Sequence, residues 1–94
     1  MHSTQEEVKL IQEIFELEKA QLQAEKEVLK TTLANEIEKQ KLFDTKGVSA
    51  EDLLRTLSGQ AGKKLLADSK ELADAYKALG EVVSKERNLS LIHI

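Results

Sequence analysis

Apolar residues recur at every seventh position near the start of this chain: Val8, Phe15, Leu22 and Leu29, flanked by Ile11, Ile14, Val28, Leu33 and Ile37. A period near seven places them on one stripe of a helix, the seam along which another helix packs. The second position of the seam is weak, because Glu18, Glu25 and Thr32 stand where apolar residues would strengthen it. Past Leu29 the step becomes four, through Leu33 to Ile37, a drift that does not specify a long regular coiled coil. Residues 4–45 contain neither Gly nor Pro, which predicts one helix over most of 5–45.

The pattern then breaks. Gly47 has the freedom to take a left-handed conformation and close the first helix. Ser49 reads as an N-cap with Asp52 three residues on, a variant of the capping box, and Val48 and Leu53 form the matching hydrophobic staple. A short helix over about 50–58 carries Leu53, Leu54 and Leu57, and "SGQAG", Ser58 to Gly62, is a break or kink. Leu65, Ser69, Leu72, Tyr76, Leu79 and Val83 then alternate by fours and threes, predicting an amphipathic helix over about 63–88. The short turn makes the long helices antiparallel neighbours. The fold expected is therefore all-α: a long antiparallel helical hairpin, coiled-coil-like, with a short helical elbow. Leu29, Leu33, Ile37, Leu53, Leu57, Leu65, Leu72 and Leu79 are its expected core.

Length exposes a mismatch. At about 1.5 Å per residue the first helix reaches roughly 60 Å, and the elbow and last helix together only about 50 Å. The end that bears Val8, Ile11, Ile14 and Phe15 lacks enough partner within the chain, which makes these four the candidate partner-binding residues. Another subunit, a protein client, or chain that is missing from this sequence would cover them.

Composition narrows the chemistry. The 94 residues allow one small domain; a third are charged, none is Pro or Cys, and the net charge is −3. A mildly acidic chain whose aromatic residues are Phe15, Phe43 and Tyr76 offers neither the basic field nor the stacking rings that nucleic acids need. No apolar run approaches the length of a membrane span, and "MHSTQEEVKLIQE" is not patterned as a signal peptide. His2 and His93 sit at opposite ends, and the carboxylates interleave with lysines as on solvated helix faces. "GQAGKK" lacks both the glycine spacing and the Ser or Thr of a phosphate loop. No zinc or calcium spacing occurs, and Tyr76 falls on the seam as a core residue. The expectation is a protein that is not an enzyme, needs no cofactor or metal, and binds neither nucleic acid nor membrane.

From Glu25 to Leu57, "EKEVLKTTLANEIEKQKLFDTKGVSAEDLLRTL" resembles the FlgN family of flagellar export chaperones. Lys26, Val28 and Leu29 match that family's K-x-x-L-L-like step, and Ile37, Glu38, Lys39 and Lys41 its following charged run. Gly47 and Ser49 match the Gly and polar cap that open its next helix. "SKELADAYKALGEVVSKERN", Ser69 to Asn88, is similar to the family's returning helix, which ends in N-x-x-N-x-x-L-I. Asn88 matches the second asparagine, and Lys85 departs from the first. The resemblance implies a cytoplasmic chaperone that holds hook–filament junction proteins unassembled until export, with its client-binding segment lying largely beyond Asn88. The alternative is a structural coiled-coil assembly or scaffold protein, for example phage-derived, in which the hairpin is an oligomerisation module. A prefoldin-like holdase is a third reading.

The last six residues, "LSLIHI", would complete the family signature with Leu91 and Ile92. They are also the translation of the transposon mosaic-end adapter used to prepare sequencing libraries, CTG TCT CTT ATA CAC ATC. At average residue usage a given hexapeptide of this kind arises about once in ten million trials. The expectation is that residues 89–94 are adapter-derived, that His93 is foreign to the protein, and that 1–88 is a hairpin domain cut short at its C-terminus.

Overall fold

The computed structural model describes residues 4–92, so His2 and His93 lie outside the described residues. Four helices follow in order: α1 (Thr4–Lys39), α2 (Ala50–Ser58), α3 (Gln60–Asp68) and α4 (Lys70–Ile92). Long α1 packs antiparallel against long α4, with α2 and α3 forming the elbow, and no strand occurs among the described residues. The helical hairpin expected from the seam is the observed fold.

Helix α1 stops at Lys39, about six residues earlier than the absence of Gly and Pro predicts. Lys41 takes a left-handed conformation at φ 56°. Its N–H donates to the Glu38 carbonyl at 3.0 Å, and the Leu42 N–H reaches back to the Ile37 carbonyl at 3.1 Å. That pair of bonds is a Schellman ending, usually built on glycine and here on lysine. The loop is then tied to the helix it leaves, because Glu38 Oε1 accepts from both the backbone N–H and the hydroxyl of Thr45, at 3.0 and 2.9 Å. Gly47 is left-handed, as expected, at φ 75°. Its place is inside the turn closed by Val48 N–H to the Thr45 carbonyl at 3.1 Å, however, and not at the end of α1.

Helix α2 begins as its cap chemistry requires: Ser49 Oγ accepts from the Asp52 N–H at 3.1 Å. Asp52 does not complete the box and pairs with Arg55 instead. The expected break over 58–62 shrinks to a corner at Gly59, with α3 starting at Gln60. Gly62 makes this corner possible. A methyl group added there would sit 2.3 Å from the Leu57 carbonyl oxygen.

The single helix expected over 63–88 is two, broken at Ser69. Ser69 Oγ accepts from the Leu72 N–H at 3.2 Å and caps α4. It also accepts from Gln40 Nε2 at 2.9 Å, which ties the break to the end of α1. The core comprises Leu33, Ile37, Ala50, Leu53, Leu57, Leu72, Leu79, Val82 and Val83. Leu29 and Leu65, expected among the most buried, are only half-buried, and Val82 joins Val83 inside. The core therefore sits at the elbow end, where α1, α2 and α4 meet.

Candidate helix-docking site

At 100° per residue, Val8, Ile11, Phe15, Leu22, Leu29, Leu33 and Ile37 lie within an arc of about 80° on α1. They share one face, yet their exposure changes along it. Leu33 and Ile37 are fully buried, Leu22 and Leu29 half-buried, and Val8 and Ile11 are 46% and 56% exposed. The face does not change; the cover does. Helix α4 has 23 residues against the 36 of α1, so α1 outruns it by about 20 Å. The end of cover is visible as a shallow cleft of about 340 Å³ between Glu18, Gln21 and Leu22 of α1 and Lys85, Asn88, Leu89 and Ile92 of α4.

The four residues picked out by sequence do not form one group. Val8, Ile11 and Phe15 continue the α4-facing seam past the cleft. Phe15 is half-buried and already engaged within the chain. Ile14, 54% exposed, is turned round the helix toward Leu10 and Leu17, themselves 56% and 70% exposed. Leu10 and Leu17 were hidden in the sequence by the stronger beat of sevens, although the spacing Leu10–Ile14–Leu17 carries a helical period of its own.

Lys26 anchors the covered part of the same face. Its Nζ donates to Glu86 Oε1 at 2.8 Å and to Glu51 Oε1 at 3.4 Å, so one ammonium joins α1, α4 and α2. The hydrogen bond to Glu86 holds the Lys26 pKa above its usual value, against the partial desolvation of a side chain 12% exposed. Glu51 is held below the usual carboxylate range, first by a backbone hydrogen bond at the start of α2 and then, against some desolvation, by Lys26.

Among the described residues, no group of three or more His, Cys, Asp or Glu side chains has an arrangement that would hold a metal ion. No helix there is long and apolar enough to cross a membrane. Compared with family models, with curated proteins and with solved structures, the chain finds no match in any of the three.

Proposed function

We propose that the chain is a helix-binding chaperone module of the FlgN type, acting in the cytoplasm on a helical segment of a hook-associated protein. One observation carries the reading: a packing seam that runs on past the helix covering it, leaving Val8 and Ile11 exposed in line with buried Leu33 and Ile37. An amphipathic client helix laid end-on to α4 would bury that seam and have its own apolar stripe shielded from aggregation in return. Reversible holding needs only such a surface, with no bond made or broken and no cofactor. The same exposed seam favours a second reading, an oligomerisation module of a structural assembly, in which another copy supplies the cover.

The test is a titration of the whole chain with terminal helical segments of hook-associated proteins from the same organism, followed by calorimetry. Saturable binding, weakened about tenfold or more by Ile11→Glu, is expected, since burying one such side chain contributes about 1.5–3 kcal/mol. Absence of binding, together with a concentration-dependent dimer that Ile11→Glu dissolves, would replace the chaperone by the oligomerisation module.

A further inference from the structure

Helix α1 carries a second seam, distinct from the one that continues onto α4. Leu10, Ile14, Leu17, Gln21, Ala24 and Val28 follow one another by alternating steps of four and three, which keeps them within an arc of about 80°. That arc is centred roughly 140° round the helix from the seam that meets α4. All six residues are exposed, Val28 by 65%. Past Val28 the polarity is muted: the hydroxyls of Thr31 and Thr32 donate to the Glu27 and Val28 carbonyls, at 3.0 and 3.1 Å, and so are occupied by the helix's own backbone.

The charges beside this seam are predominantly acidic, with Lys9 the exception near its start. Glu13, Glu18, Glu25 and Glu27 occupy the flanking heptad positions, all exposed, and no Lys or Arg shares those positions. Lys85 of α4 borders the same cleft as Glu18, and Lys9 the same groove as Glu13, which leaves Glu25 and Glu27 as the edge without a neighbouring lysine in a shared groove. Lys26 is no counterweight, being turned to Glu51 and Glu86. Two copies of α1 joined along this seam would set glutamate against glutamate whether parallel or antiparallel. A helix with lysine or arginine beside its own apolar seam would be attracted along most of it.

We propose that this face of α1 docks an amphipathic helix whose apolar seam is flanked by basic residues, placing it across α1 from α4. The complementarity selects such a helix over a second copy of α1, because like charges across a heptad interface repel and opposite charges set partner choice. The site is separate from the one formed by Val8 and Ile11, and either stands if the other fails.

The probe is a three-heptad peptide with leucine at the seam and lysine at the flanking positions, kept monomeric by its own repulsion, with a glutamate-flanked sister as comparison. Fluorescence anisotropy against the whole chain should show binding of the lysine peptide alone, weakening as salt screens the pair. Leu17→Glu should weaken it about tenfold or more, and Val8→Glu, on the opposite side of α1, should leave it unchanged. Leu17 is 70% exposed, so the variant keeps the fold, which a thermal melt verifies. A chain carrying Glu13→Lys, Glu25→Lys and Glu27→Lys should exchange its preference and take the glutamate peptide. Equal binding of both peptides, undiminished binding by the Leu17→Glu variant, or a homodimer that Leu17→Glu dissolves would each overturn the proposal.

Discussion

Lys26 shows how a single side chain in a seam of apolar residues serves the packing around it. Its stem lies among the three helices, and its ammonium reaches two carboxylates 25 and 60 positions away in the chain. Replacing it by methionine keeps the stem and removes the charge, and is expected to cost about 1 kcal/mol. That is a charge-assisted bond discounted for the exposure of Glu51 and the screening there. The sign of the pH dependence follows from the shift. The folded-state pKa of Lys26 is raised above 10.5, so its contribution is complete at neutral pH and is lost as pH rises through that folded-state value. Glu51 acts oppositely: its pKa is lowered from 4.5, and its contribution falls away as pH drops below that value. Urea melts across the alkaline limb should show a flatter decline for Lys26→Met than for the wild type; parallel declines would show that the ion pair contributes nothing. Ser49→Ala should cost about 1 kcal/mol, since the Asp52 N–H loses its acceptor. Superimposable melts would refute that cap. The Ser49 cap was readable because its partner is three residues away. The Ser69 cap has the same local spacing, to the Leu72 N–H, but was masked because the fours and threes of the seam run straight through Ser69. Its second bond, to Gln40 29 positions off, has no local signal at all.

At the scale of the element, helix type and order follow from periodicity, and helix ends follow from chemistry that periodicity does not see. Nothing in "EKQKLFDTK" signals a stop at Lys39. The stop comes from a left-handed lysine held by backbone bonds to Ile37 and Glu38 and by the Thr45–Glu38 contact, a loop that is stable only once folded back on its helix. The C-terminal end of α4 poses a different question. Leu89 is half-buried beside Leu22, while Leu91 and Ile92 are 64% and 76% exposed. A well-packed apolar tail of this size would contribute several kcal/mol; one half-buried leucine contributes about 1 kcal/mol. A chain ending at Asn88 should therefore melt no more than about 8 °C lower, with the uncovered seam extended to Leu22. A loss of more than about 10 °C would mean that residues 89–94 are packed as selected sequence is, contrary to an adapter origin.

The whole molecule is long for its mass. It measures 60 × 21 × 20 Å with a radius of gyration of 17.2 Å, where a compact chain of this length would have about 12 Å. The core is gathered at the elbow end, and the opposite end is a single helix with apolar residues on two faces. This imbalance was legible in the sequence as a difference in helix lengths. Its second face was not, because the heptad of Val8, Phe15, Leu22 and Leu29 masked the one through Leu10, Ile14 and Leu17. A lone helix of about 14 residues is marginal in water without tertiary packing. Its amides should open far more readily than those of the core. Hydrogen exchange read by mass spectrometry over a hundredfold range of protein concentration addresses this most directly. If the N-terminal part of α1 awaits a partner, amides of residues 8–17 will exchange orders of magnitude faster than those of 29–37, at every concentration, and slow only when a docking helix is added. Protection of residues 8–17 equal to that of 29–37 in the chain alone, or rising with its concentration, would contradict the account.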